Sequence, residues 1–168
     1  GWIFKEEIKA NGGWRRVVPS PAPINVKNAE LVERMAREGN IVITVGGGGI
    51  PVFEDEKGML QPLEGVIDKD LASAMIGGLV KADELYILTD VPYIYKNYKQ
   101  PKEEILEILD FADTKKYLEE GIFAEGSMAP KIRACLAFVE KGGDKAVITE
   151  STKLEDRRYG SKITMHYE

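Results

Sequence analysis

The sequence is poor in the residue types that most often carry nucleophilic or metal chemistry. It contains one cysteine, Cys135, and one histidine, His166, among 168 residues. A single cysteine excludes an internal disulfide and a cysteine-rich zinc site, and a single histidine excludes a histidine-cluster metal site. Cys135 lies on the apolar face of a predicted helix, so we expect it to be a buried packing residue.

The sequence also lacks long apolar runs and an excess of positive charge. No stretch approaches the length that crosses a bilayer, and no signal-peptide pattern is present. The 23 Lys and Arg residues against 28 Asp and Glu give a net charge of −5, so we expect neither a nucleic-acid nor a membrane partner. The content of 43% apolar and 30% charged residues is typical of a globular domain.

Glycine is abundant, with 17 residues, and four of them are consecutive: Gly46, Gly47, Gly48 and Gly49. They follow a β-branched run at residues 41–45 that predicts a buried parallel strand. Consecutive glycines allow backbone amides to approach a phosphate, but they also form simple turns. Their spacing matches neither the dinucleotide-binding nor the P-loop pattern. A phosphate-binding loop and a simple turn therefore both stay open.

Predicted helices and strands alternate along the chain. This alternation favours an α/β fold with a parallel sheet flanked by helices. The predicted helices cover residues 29–38, 102–109 and 114–120, with two more beginning at Asp68 and near Lys131, and the other predicted strands cover residues 85–88, 146–149 and 163–165. The polar stretch at residues 53–65 is typical of a hairpin.

Ligands of open parallel sheets bind beyond the carboxyl ends of the strands, where two lysines of this sequence are expected. Lys69 could neutralise a phosphoryl group with Asp70 orienting it, although capping by Asp68 beside a solvated lysine explains the same residues. Lys131 follows a Gly-Ser turn at a helix start, where a lysine opposes the helix dipole. That unfavourable placement slightly favours a functional role for Lys131 over a surface role.

Two further groups could bind a nucleotide. Thr89 and Asp90 end a strand and could hold a ribose or a phosphate-bound Mg²⁺, or form an ordinary turn. The tyrosines at positions 93, 95 and 98 could stack on a base or pack in the core.

Five segments, taken in order, resemble the carboxyl-terminal half of the carbamate kinase family, within the amino-acid-kinase superfamily. They are Gly13-Trp14-Arg15-Arg16-Val17-Val18-Pro19-Ser20-Pro21, Gly46-Gly47-Gly48-Gly49-Ile50-Pro51-Val52, Val66-Ile67-Asp68-Lys69-Asp70-Leu71-Ala72, Ile87-Leu88-Thr89-Asp90-Val91 and Gly126-Ser127-Met128-Ala129-Pro130-Lys131. The resemblance implies a three-layer α/β/α sandwich with a mainly parallel sheet and a cytoplasmic homodimer. It also implies reversible phosphoryl transfer between carbamoyl phosphate and ADP, which gives ATP and carbamate, with Mg²⁺ carried by the nucleotide rather than bound directly by the protein.

The resemblance also implies roles for individual residues. Lys69 and Lys131 would contact the transferring phosphoryl group, and Asp70 would hold both lysines. The glycines at positions 46–49 would lie beside the transfer centre. The nucleotide would be bordered by Thr89, Asp90, Val91, Tyr95, Phe123, Gly126, Ser127 and Met128.

The resemblance covers residues 1–168 as a nucleotide-binding portion, and nothing in the sequence matches the family's amino-terminal half. We therefore expect this chain to belong to something longer and to be unable to turn over carbamate alone. Two alternatives are another kinase of the superfamily and a non-catalytic nucleotide-binding module. The Trp14–Pro21 segment favours carbamate kinase over other kinases, and the three residues Lys69, Asp70 and Lys131 argue for retained chemistry.

Overall fold

The computed structural model describes residues 2–6 and 13–166. Within these ranges the helices are α1 (Ala29–Arg37), α2 (Lys69–Leu79), α3 (Phe111–Glu119) and α4 (Met128–Glu140). The strands are β1 (Ile3–Glu6), β2 (Trp14–Val17), β3 (Val52–Glu54), β4 (Leu60–Pro62), β5 (Glu84–Thr89), β6 (Ile94–Lys96), β7 (Glu104–Leu106), β8 (Ile108–Asp110), β9 (Lys145–Glu150) and β10 (Ser161–Thr164). Two 3-10 turns cover Gly46–Gly48 and Ser151–Lys153.

The central sheet has four strands in the order β5-β9-β10-β8. The outer pairs, β5 with β9 and β10 with β8, are parallel, and β9 and β10 between them are antiparallel. This arrangement confirms the predicted α/β class with a mainly parallel sheet. Three antiparallel two-stranded ribbons complete the strands, and one of them, β3 with β4, is the hairpin expected at residues 53–65.

Helix α4 is the centre of the core. It lies between α2 and α3 and contacts β5, β9 and β10. Its buried face presents Ile132, Cys135, Phe138 and Val139, each no more than 1% exposed. The prediction that Cys135 is a packing residue is confirmed, and burial raises the pKa of its thiol to about 12. Within the described ranges no helix is long and apolar enough to cross a membrane.

The predicted strand at residues 41–45 is wrong, since these residues form no strand among the described residues. Ile41 and Ile43 are 98% and 94% exposed, whereas Val42 and Thr44 are half-buried. Exposed and half-buried side chains therefore alternate along residues 41–44. A β-branched run favours a strand but forms one only beside a hydrogen-bonding partner, and no described strand lies there.

The predicted helix at residues 102–109 is also wrong, because strands β7 and β8 occupy this segment. Tertiary hydrogen bonds explain the difference. The Ser161 hydroxyl donates to the Leu106 carbonyl at 2.5 Å and accepts from the Ile94 amide at 2.7 Å, which joins β10 to the β6–β7 ribbon. Strand β8 pairs with β10. These long-range contacts override the helical spacing of the apolar residues.

Candidate functional site

The start of helix α2 is fixed by Asp68. Its side chain accepts hydrogen bonds from the backbone amides of Asp70, at 2.9 Å, and Leu71, at 3.0 Å, as the sequence predicted. The cap holds Lys69 and Asp70 in the first helical turn. An acidic residue there is favourable because the helix dipole is positive at that end.

Asp70 joins two lysines from different helices. Its Oδ1 accepts a hydrogen bond from the Lys69 ammonium and its Oδ2 from the Lys131 ammonium, both at 2.9 Å. Lys131 lies in the first turn of α4, which packs against α2, so the amino-terminal ends of both helices meet at the carboxylate. We call Lys69, Asp70 and Lys131 the ion cluster.

Asp70 and Lys69 hold each other in their charged forms at neutral pH. Burial acts to raise the pKa of Asp70, but the hydrogen bonds and charges of Lys131 and Lys69 outweigh it and lower the pKa below the ordinary 3.8. The hydrogen bond to Asp70 raises the pKa of Lys69. Two ammonium groups therefore face one carboxylate beside two helix amino termini, an arrangement that attracts anions.

The glycine loop packs against the residue that precedes the α2 cap. Gly48 is buried with φ of +107°, and a Cβ atom there would lie 2.0 Å from the Ile67 carbonyl oxygen. Any side chain at position 48 would push the loop away from helix α2. The absence of a side chain thus keeps Gly46–Gly49 against helix α2.

A cavity of about 220 Å³ lies next to the ion cluster. Most of its lining consists of residues that the family resemblance assigned to the nucleotide. The lining comprises Thr89, Asp90, Val91, Tyr95, Tyr98, Lys99, Ile122, Phe123, Ala124, Ser127, Met128 and Lys131. Lys131 belongs to both the cavity and the ion cluster, and it therefore connects the two.

The structure places Tyr98 in the lining and adds three residues that the sequence did not assign to the site, Lys99, Ile122 and Ala124. Tyr98 packs on Tyr95 with ring centroids 5.3 Å apart, and the Lys99 ammonium lies 5.1 Å from the Tyr98 ring centroid. Burial raises the pKa of Tyr95. The spacing of the tyrosines pointed to Tyr98, but no sequence signal pointed to Lys99, Ile122 or Ala124.

The sequence favoured an anion site at the Gly126–Met128 turn, but most backbone amides of this turn are already bonded within the protein. The Ala124 carbonyl accepts hydrogen bonds at 3.1 Å from the amides of Ser127, Met128 and Ala129, so these amides bind the protein rather than a ligand. Gly126 does not line the cavity. The groups at this end of α4 that could attract an anion are therefore the Lys131 side chain and the helix dipole.

A second cavity, of about 330 Å³, lies at the carboxyl-terminal ends of α2 and α4. None of the predicted site residues lines it, and it lies at the opposite end of these helices from the ion cluster. No aromatic residue lines it, so we assign the candidate site to the cavity beside Lys131. Among residues 2–6 and 13–166, no three Asp, Glu, His or Cys side chains group closely enough to hold a metal ion.

Curated relatives of this chain are carbamate kinases. The Thermoplasma volcanium carbamate kinase is 46% identical over 149 residues, which are 89% of this chain and 48% of that protein. The Staphylococcus aureus carbamate kinase 2 is 45% identical over 148 residues, which are 88% of this chain and 46% of that protein. The chain thus spans about half the length of the curated relatives it matches.

Solved structures agree with the sequence comparison. A crystal structure from Aeropyrum pernix matches with a TM-score of 0.87 and 40% identity, covering 98% of this chain and 53% of that one. Carbamate kinase from Giardia lamblia bound to AMP-PNP matches with a TM-score of 0.87 and 35% identity, covering 98% and 52%. The amino acid kinase family model matches residues 4–150. With the fold and the relatives in agreement, the chain belongs to the amino acid kinase family.

Proposed function

We propose that this chain is the nucleotide-binding and phosphoryl-transfer portion of a carbamate kinase, with residues 1–168 forming that portion. The reaction is reversible transfer of a phosphoryl group between carbamoyl phosphate and ADP, giving ATP and carbamate. The observation that carries the proposal is Lys131, which lines the cavity and shares Asp70 with Lys69. A phosphoryl group held at Lys131 would lie between a bound nucleotide and the second lysine.

The chemistry needs positive charge and alignment rather than a covalent nucleophile. A β-phosphate oxygen of ADP attacks phosphorus, the phosphorus–oxygen bond to carbamate breaks, and carbamate leaves with the electron pair. Lys69 and Lys131 stabilise the negative charge on the transferring oxygens. Asp70 orients both ammonium groups and does not itself transfer a proton.

The cavity lining suits a nucleotide with its own Mg²⁺. Tyr95 and Tyr98 offer aromatic surface to a base, and Thr89 and Asp90 offer polar groups to a ribose or to the metal. Asp90 is the carboxylate in the lining, whereas both oxygens of Asp70 are engaged by lysines. When bound, Mg²⁺ would offset phosphate charge. A cytoplasmic homodimer is part of the proposal and rests on the family resemblance.

The relatives favour carbamate as the acceptor over other substrates of the family. Those at 45–46% identity are named carbamate kinases, whereas a Neisseria gonorrhoeae N-acetylglutamate synthase is 18% identical and supports the fold alone. A non-catalytic nucleotide-binding module would bind ADP but would not form ATP from carbamoyl phosphate. Two measurements therefore distinguish a carbamate kinase from a non-catalytic nucleotide-binding module.

The first measurement is calorimetric titration of the chain with Mg·ADP. We expect binding that Tyr95→Ala and Tyr98→Ala weaken, while Tyr86→Ala, outside the cavity, leaves binding unchanged. The second is ATP formation from ADP and carbamoyl phosphate when the missing half of the fold is supplied, since we expect none from the chain alone. Absence of ADP binding would overturn the proposal, and binding without any ATP formation in the supplemented protein would favour the non-catalytic module.

A further inference from the structure

The wall of the candidate site that carries Tyr95 belongs to a ribbon with little support of its own. Tyr95 lies in the middle of β6, which pairs with β7 and with no other strand among the described residues. A two-stranded ribbon is marginally stable by itself. The position of the Tyr95 ring in the cavity lining therefore depends on the contacts that tie this ribbon to the core.

One hydroxyl group ties both strands of the ribbon to the central sheet. The Ser161 hydroxyl accepts a hydrogen bond from the Ile94 amide at 2.7 Å and donates one to the Leu106 carbonyl at 2.5 Å. Ile94 and Leu106 are register partners in β6 and β7, so a single side chain holds the same point of both strands. Ser161 and Ile94 are both fully buried, and no bulk water competes for these hydrogen bonds.

The backbone before Ser161 fixes where that hydroxyl lies. Gly160 has φ of +97°, and a Cβ atom there would lie 2.7 Å from the Ile148 carbonyl oxygen. The backbone therefore approaches strand β9 more closely than a residue with a side chain would allow. Ser161 follows as the first residue of β10 and is the register partner of Ile148 in β9. The hydroxyl is thus presented to the ribbon from a fixed point of the central sheet.

A second contact reaches the same segment from the residue two positions before Ser161. The Tyr159 ring packs on the Tyr93 ring with centroids 5.0 Å apart. Together with the hydrogen bond to Ile94, this contact holds the two residues that come immediately before Tyr95. Successive side chains of a strand point to opposite faces, and Ile94 is buried in the core. Holding Ile94 there directs the Tyr95 ring away from the core and toward the cavity that it lines.

We propose that Ser161 is a positioning residue of the nucleotide site, which acts through the Ile94 amide to hold the Tyr95 ring against the base of ADP. Ser161 does not itself line the cavity. This inference rests on the proposed function, in which Tyr95 offers aromatic surface to a base. Without the hydroxyl, the Ile94 amide and the Leu106 carbonyl lose their common partner, and the Tyr95 ring loses its fixed position. ADP then has to order the ribbon as it binds, which weakens its affinity.

The test compares Ser161→Ala with Thr114→Ala by calorimetric titration with Mg·ADP. Thr114 is fully buried like Ser161, and its hydroxyl donates to the Asp110 carbonyl at 2.5 Å, but it lies in α3 and does not line the cavity. Both variants lose a buried hydroxyl group and should unfold at lower urea concentration than the parent. Only Ser161→Ala should bind Mg·ADP more weakly, by about fivefold to tenfold.

Hydrogen exchange in the absence of ligand provides a second measurement. The Ile94 amide should exchange faster in Ser161→Ala than in either the parent or Thr114→Ala, because it has lost its acceptor. If Ser161→Ala does not fold, Ser161→Cys takes its place. The thiol is a weaker donor and acceptor than the hydroxyl, so both the exchange rate and the ADP affinity should change in the same direction but by less.

Three outcomes overturn the inference while leaving the proposed function standing. The first is unchanged ADP affinity in a folded Ser161 variant, and the second is unchanged exchange of the Ile94 amide. The third is an equal loss of ADP affinity in Thr114→Ala, because affinity would then follow stability rather than the position of Tyr95. Absence of ADP binding by the parent is a different result, which overturns the proposed function and this inference with it.

Discussion

Replacing Asp70 with asparagine tests whether the ion cluster is held by charge. Asparagine keeps the size of the side chain and one acceptor oxygen but removes the negative charge between Lys69 and Lys131. Asp70 is 8% exposed, and the side chain of Lys131 is 16% exposed, so this pair lies largely out of water. The side chain of Lys69 is 61% exposed.

The expected loss of stability follows from these exposures. An exposed pair such as Lys69 with Asp70 contributes about 0–1 kcal/mol. Breaking a fully buried pair costs about 3–5 kcal/mol, and the oxygen that asparagine retains offsets part of that for Lys131. We therefore expect Asp70→Asn to lower the free energy of unfolding by about 2–3 kcal/mol at neutral pH.

The pH dependence gives this prediction a second, independent readout. The pKa of Asp70 is lowered in the folded protein, so its stabilisation is present above the ordinary value of 3.8 and is lost as pH falls through the lowered pKa. A protonated aspartate resembles asparagine. The difference between parent and variant should therefore be constant near neutrality and shrink below about pH 4.

Urea unfolding of the two proteins across this pH range measures the difference directly. Asp68→Asn is the matched control, because asparagine caps a helix as well as aspartate does, and it should change stability by no more than about 0.5 kcal/mol. A loss below about 0.5 kcal/mol for Asp70→Asn at neutral pH, or a difference that persists unchanged to about pH 3, would refute the reasoning.

The remaining predictions concern packing. Because Cys135 is fully buried with a pKa of about 12, we expect a thiol reagent to modify it only at the rate of unfolding, and rapid labelling of the folded protein would contradict its placement. Gly48→Ala should speed hydrogen exchange of the position-48 amide, which donates to the Val45 carbonyl at 2.9 Å, because the new Cβ would collide with Ile67. Gly46→Ala, with open space around its Cβ position, is the control, and equal exchange in both variants would show that the loop is not held there.

The parts of the fold that sequence predicted are those governed by local chemistry. The Asp68 cap, the buried face of α4 and the strand before Thr89 depend on residues close together in the chain, and the structure contains all three. The segments at 41–45 and 104–110 depend on distant partners. Residues 41–45 lack a partner strand among the described residues and form no strand. Residues 104–110 form two strands because they contact β10, through the Ser161 hydroxyl and through pairing of β8.

The candidate site shows the same division. The resemblance brought Lys69, Asp70 and Lys131 together, and the structure joins them by hydrogen bonds. The Ala124 carbonyl accepts hydrogen bonds from the backbone amides of the following turn. This contact depends on backbone geometry that no residue type specifies, so the sequence did not predict it. Lys99 enters the cavity lining from a left-handed backbone position, with φ of 58°, which a lysine seldom adopts.

The measurement that tests the central claim most directly is the rate of ATP formation from ADP and carbamoyl phosphate by the chain supplied with the part of the fold that its carbamate kinase relatives have outside the match. We expect Lys131→Ala to lower kcat by about a hundredfold or more while changing ADP affinity little, because Lys131 acts on the transferring group. Lys141→Ala, an exposed lysine that follows the last turn of the same helix, should leave both unchanged. An unchanged kcat in Lys131→Ala would contradict the assignment of the ion cluster to phosphoryl transfer.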